Sequence, residues 1–217
     1  MYHYLEDRQY ERRIRAYAGE ILQAMCHHLK EDHDIGARFY LVGSGARNLI
    51  TQNANLPVDL DYNLEIVRCN DSDDDRHLRE CARKAFDKAL NRRGQWNCQD
   101  STSTLTSRQI RLDITSIPFS IDVCITCQDE AGFYRLIHKK TGFVCRDEYF
   151  RNKAPQSRGL REKADYIRKR GKWELVREQY LRLKNLYLTR NESKDHPSFV
   201  CYAEAVSNVY NTRRHWN

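Results

Sequence analysis

Four residues of this sequence have the types and spacing to do chemistry together: Gly43, Ser44, Asp59 and Asp61. Asp59 and Asp61 lie in Val58-Asp-Leu-Asp-Tyr-Asn-Leu-Glu-Ile-Val67, where apolar and polar residues alternate with the period of a half-buried strand. On a strand, carboxylates two residues apart leave from one face while Leu60 points to the other. Two hard oxygen donors side by side suit a divalent cation, Mg2+ or Mn2+ rather than zinc. Gly43-Ser44 ends the β-prone run Arg38-Phe-Tyr-Leu-Val42 and opens an expected one or two turns of helix from Ser44 to Ile50. Glycine at such a turn lets backbone amides approach phosphate oxygens, the helix start adds positive potential, and the serine hydroxyl can donate a hydrogen bond. Asp122 stands in Phe119-Ser-Ile-Asp-Val-Cys-Ile125, with apolar flanks that suit a buried central strand. Asp113, in Arg111-Leu-Asp-Ile114, is another aspartate, one candidate strand earlier.

The elements that must position these residues are read from periodicity. Ile14, Tyr17, Ile21, Leu22, Met25 and Leu29 fall at helical spacing and predict an amphipathic helix over 10–29. The segment 51–57 reads as a polar loop. Asn70-Asp-Ser-Asp-Asp-Asp75 supplies cap residues and first-turn acids for a helix running to about Arg92 and closed by Gly94. The stretch 95–126 is β-rich, with strands expected at 101–107, 109–114 and 119–126, and another at 133–138. Helices follow at 160–170, 173–188 and 199–210. Composition and period both change near 150, which predicts a core over 1–150 and a helical region over 151–217.

Phe39-Tyr-Leu-Val-Gly43-Ser44, then Val58-Asp59-Leu60-Asp61, then Phe119-Ser-Ile-Asp122-Val-Cys-Ile, resembles the motif series of the polymerase-β-like nucleotidyltransferase superfamily. The resemblance covers about residues 35 to 127, with a spacer from Ser44 to Asp59 somewhat longer than is common in that family. It implies an α+β fold, a nucleotidyltransferase-type mixed β-sheet with flanking helices, followed by a C-terminal helical region. It also implies a Mg2+-dependent enzyme (or one using Mn2+) that moves a nucleoside monophosphate from an NTP such as ATP to an acceptor hydroxyl. Asp59, Asp61 and, as the family's third carboxylate, Asp122 would then be catalytic and hold the metals, with Asp113 its competitor for that third place, and Gly43 and Ser44 would hold the β- and γ-phosphates.

Composition bounds the remaining possibilities. The chain has 217 residues, 31% of them charged, and a formal net charge of +7. No apolar leader follows Met1 and no run approaches 18 apolar residues, so a cytoplasmic protein with reduced thiols and no membrane partner is expected. Residues 1–150 are close to neutral, whereas residues 151–190 carry 13 Lys and Arg against 4 Asp and Glu. That segment suits a polyanion, and it makes RNA one candidate acceptor beside a small molecule or a protein hydroxyl. A catalytically silent binding module of the same fold is the contrasting reading. Gly43-Ser-Gly-Ala-Arg-Asn48 is also a partial dinucleotide fingerprint, but its third glycine is missing and Glu65 sits in mid-strand. Cys124-x-x-Cys127 has metal-ligand spacing, yet strand geometry turns the two sulfurs to opposite faces, so core thiols are expected. His27-His28 reads as the wet end of the first helix, and Tyr166, Trp173, Tyr180, Tyr187 and Tyr202 as core between the C-terminal helices.

Overall fold

The structure is a computed structural model and describes residues 1–69, 74–130, 132–154, 158–193 and 195–216. In chain order the elements are β1 (Tyr2–Tyr4), α1 (Arg8–His33), β2 (Gly36–Leu41), α2 (Gly43–Ala46), β3 (Thr51–Asn53) and β4 (Val58–Arg68). Then come α3 (Asp75–Asn91), β5 (Gln99–Asp100), β6 (Leu105–Thr106), β7 (Phe119–Asp129), β8 (Gly132–Lys139) and β9 (Glu148–Lys153). The chain closes with α4 (Arg158–Lys169), α5 (Trp173–Thr189), α6 (Ser198–Asn211) and a 3-10 turn at Arg213–His215. Two compact units are formed, one from Asp7–Val42 and Pro57–Ala154, the other from Met1–Glu6, Gly43–Leu56 and Pro155–Asn217. The division is therefore not the single cut expected near 150, because two early segments belong with the C-terminal helices.

The first unit is a mixed sheet ordered β2-β4-β7-β6-β5, with β8 on the C-terminal half of β7 and β9 on β8. Only β4 and β7 run parallel, and a parallel pair needs a long crossover, which here contains α3. Asp74 caps α3 by accepting the His77 N–H, and Asp75 follows in its first turn. Residues 70–73, expected to contribute to that helix start, lie outside the described residues. Leu60 and Leu64 of β4 and Ile121, Val123 and Ile125 of β7 are fully buried, as are the inner stripes of α1 and α3. Each such side chain contributes about 1.5–3 kcal/mol of burial.

A polar network ties the short strands together. Arg79 is 0% exposed, and its guanidinium donates to Asp100 and to the carbonyls of Leu136, Ser101 and Thr104. The His138 ring lies between Asp100 and Asp147, 2.7 and 3.0 Å away, and stacks on Tyr149.

Several expectations are corrected here. The segment 109–114 is no strand: Ile110 makes one bridge to Phe119, and Ser116 folds the chain back through bonds to the backbone of Leu112 and Asp113. The strand expected over 101–107 shrinks to Leu105–Thr106. Charged, exposed β9 was not expected at all. His28 is not wet but 2% exposed, in line with Met25 and Leu29 on the buried side of α1, and burial pushes its pKa down.

The second unit is built on α4, α5 and α6, whose core joins Ile167, Val176, Tyr180, Leu183, Tyr202 and Val206 with Leu49. Thr51–Asn53, expected as loop, pairs antiparallel with Tyr2–Tyr4, and buried Gln52 donates to the Leu56 carbonyl. Tyr180, Tyr187 and Tyr202 are core as expected, whereas Tyr166 is 37% exposed. Among the described residues, no helix is long and apolar enough to cross a membrane.

Candidate active site

The alternation of β4 places Asp59, Asp61, Asn63 and Glu65 on one face and Leu60, Tyr62 and Leu64 on the other. Parallel pairing with β7 then sets Asp59 opposite Ser120 and Asp61 opposite Asp122. On the other side of β7, Thr106 of β6 stands opposite Asp122. Three carboxylates thus share one face of two adjacent central strands. Asp113 lies elsewhere, in the exposed turn 113–116, where it meets Arg13 at 3.3 Å and accepts from Thr115.

The electrostatics of the group follow from this packing. Ser120 Oγ donates to Asp59 Oδ1 at 2.5 Å. Asp122 is half-buried, and desolvation holds its pKa above the ordinary carboxylate range. The Thr106 hydroxyl opposes that shift, and the charge of Asp59 adds to it. Asp122 Oδ1 is buried without a hydrogen-bond partner. A buried carboxylate oxygen left unsatisfied is costly unless a cation or a proton compensates it. Among the described residues no three His, Cys, Asp or Glu side chains are gathered to hold a metal ion, and Asp59 is turned onto Ser120. Gathering the three takes side-chain rotation, since the register already aligns their backbones. The orphaned oxygen and the all-oxygen donor set fit a hard divalent cation.

Gly43 and Ser44 belong to the helical unit. Gly43 has φ +62°, a left-handed conformation that favours glycine. The helix that opens at Gly43 has four residues, the shorter of the one or two turns expected, and stops at Ala46 well before Ile50, so it supplies little dipole. The segment is instead braced by neighbours that periodicity did not disclose. Arg47 donates to the Gly43 carbonyl at 2.6 Å and lies over the Tyr202 ring. Trp173 Nε1 donates to the Arg47 carbonyl at 3.1 Å, and Arg177 donates to the Asn48 carbonyl while stacking on Tyr4. Buried Leu49 then anchors the segment in the helical core. Sequence held one sign of this, namely several Arg and aromatic residues on the C-terminal helices.

Competing motifs resolve differently. The dinucleotide-fold reading fails because β2, which precedes Gly43, is an edge strand antiparallel to β4, not the first strand of a parallel βαβ unit. Glu65 is occupied by an ion pair with Arg38. All eight cysteines are free thiols, and burial pushes Cys124 and Cys127 up in pKa.

No protein-family model and no curated protein sequence matches the chain. Solved structures do resemble it. The cyclic dinucleotide synthase CdnE of Elizabethkingia meningoseptica, with GTP and Apcpp, superposes with TM-score 0.53 at 13% identity over 91% of this chain and 69% of that one. CdnC of E. coli MS115-1 with ATP gives 0.52 at 16% identity over 91% of this chain and 60% of that one. The cyclic AMP-GMP synthase DncV of Vibrio cholerae gives 0.47 at 11% identity over 68% of this chain, which spans 39% of that protein. The likeness to the first two lies in the mixed central sheet with flanking helices, so the chain has the fold of the polymerase-β-like nucleotidyltransferases.

Proposed function

We propose that the chain transfers a nucleoside monophosphate from a nucleoside triphosphate to a hydroxyl of a small acceptor, itself a nucleotide. The observation that carries this reading is the register that sets Asp61 opposite Asp122 with Asp59 two residues away on the same face. Asp59, Asp61 and Asp122 would hold divalent cations, which when bound neutralise triphosphate charge and stabilise the entering and leaving oxygens. In the step, the acceptor oxygen bonds to the α-phosphorus, the bond from that phosphorus to the bridging oxygen breaks, and pyrophosphate leaves. Ionised Asp122, beside the acceptor, would also take the acceptor's hydroxyl proton. Gly43 and Ser44 would bind the β- and γ-phosphates, with the Ser44 hydroxyl donating.

Support for a nucleotide acceptor comes from the proteins of like fold, one described as a cyclic dinucleotide synthase with GTP and Apcpp and the other as CdnC with ATP. RNA, expected as acceptor from the charge distribution, has no counterpart among those ligands. The test is incubation with Mg2+ or Mn2+ and α-labelled ATP or GTP, singly, in pairs and with total RNA. Label in a small, phosphatase-resistant product is the expected result. Label in RNA alone would replace the small acceptor, and no transferred label under any condition would leave a silent binding module.

A further inference from the structure

We infer that the helical unit carries a surface for single-stranded nucleic acid, built from α4, α6 and the C-terminal 3-10 turn and independent of the transfer reaction proposed above. Three segments distant in sequence meet there. Tyr166 of α4 and Tyr210 of α6 pack edge to face with centroids 5.5 Å apart. Lys163 Nζ lies 5.7 Å and the Arg213 guanidinium 4.2 Å from the Tyr210 ring, and the Arg170 guanidinium lies 5.5 Å from the Tyr166 ring. Arg214, next to Arg213, is exposed.

The charge on this patch is not neutralised from within. Among the described residues, Arg161 and Arg168 share Asp165, but Lys163, Arg170, Arg213 and Arg214 ion-pair with no carboxylate. Three cations lie beside two adjacent rings, with Arg214 next in sequence to one of them; like charges so placed repel one another, and a chain of phosphates would relieve that repulsion. Tyr166, at 37% exposure and set against Tyr210 and Trp216, adds what a phosphate chain alone would not need, a partly exposed aromatic side chain in an aromatic group. A base can stack on such a ring whatever its sequence, and only an unpaired base presents its face. The combination of cations and a partly exposed aromatic side chain therefore favours a single strand over a duplex.

The experiment is fluorescence polarisation with a labelled mixed-sequence 20-nucleotide RNA, the matching DNA strand and their duplex forms. It is run in EDTA without nucleoside triphosphate, so its outcome does not depend on the transfer reaction. Four phosphate contacts predict a slope of log affinity on log salt of about −3 for single strands, at about 0.7 for each contact. The double change Lys163→Gln with Arg213→Gln is expected to flatten that slope by about 1.4 and weaken binding about tenfold or more. Tyr166→Ala is expected to weaken single-strand but not duplex binding. Circular dichroism melting checks the variants, and Arg170→Gln with Arg214→Gln, both at exposed positions, serves where the first pair unfolds. A dissociation constant above about 100 μM at low salt, weaker than ordinary nonspecific binding, would overturn the inference. So would tighter binding to duplex, a slope indifferent to both variant pairs, or binding only to phosphatidylserine vesicles.

Discussion

Ser120 decides where Asp59 points. Its hydroxyl donates to Oδ1 at 2.5 Å and holds the carboxylate in the arrangement in which the three acids are not yet gathered. Gathering them turns Asp59, so this bond competes with a cation for the carboxylate, at about 1 kcal/mol for an ordinary hydrogen bond. Ser120→Ala is thus expected to bind Mn2+ at least as tightly as wild type by titration calorimetry; weaker binding would show that Ser120 orients Asp59 towards the cation. Asp122 carries the opposite burden. Burial first, and then the charge of Asp59, raise its pKa, so the ionised carboxyl costs stability in the folded, metal-free state. The folded state takes up this proton at higher pH than the unfolded chain does, so the cost shrinks as pH falls through the raised pKa. In EDTA, Asp122→Asn should therefore melt above wild type at pH 7.5, with the gap closing towards pH 4. A variant that melts lower at pH 7.5 would contradict this.

At the scale of elements, the Gly43–Asn48 segment separates a structural role from a binding role. Ser44 caps nothing: no side-chain bond within the described residues engages its hydroxyl, and only its carbonyl accepts, from Arg47 and Leu49. Ser44→Ala is expected to leave the melting temperature unchanged and to raise the KM for the triphosphate, whereas a helix cap would lose about 1 kcal/mol and no activity. Gly43→Ala places a side chain at φ +62° and is expected to cost about 1–2 kcal/mol as well as activity. Melting curves beside NTP kinetics on both variants separate the two roles.

How far these elements could be read in advance depended on length and period. The alternation of β4 and the stripes of α1, α3 and α5 announce themselves because each runs for 11 residues or more. The two- and three-residue strands carry no period, and β9 is hidden by its charged, exposed side chains. Asp59 and Asp61 were legible from spacing, and Asp122 from its apolar flanks. Ser120, Thr106 and the bracing of Gly43 by Arg47, Trp173 and Arg177 were not, because cross-strand register and tertiary contact set them.

At the scale of the molecule, the two units are each assembled from segments that alternate along the chain, so neither is a simple half. One holds the three carboxylates on a mixed sheet, and the other holds the Gly43-Ser44 turn and the basic-aromatic surface. The central proposal is that the carboxylate face, in a fold shared with a cyclic dinucleotide synthase, performs metal-dependent nucleotidyl transfer. The most direct measurement is label transfer from α-labelled ATP and GTP in Mn2+ by wild type, Asp59→Asn and Asp61→Asn, with melting curves on all three. The account predicts transfer by wild type and a loss of at least about a thousandfold in each variant, about 4 kcal/mol of transition-state stabilisation, with folding intact. Wild-type turnover in both variants would contradict it.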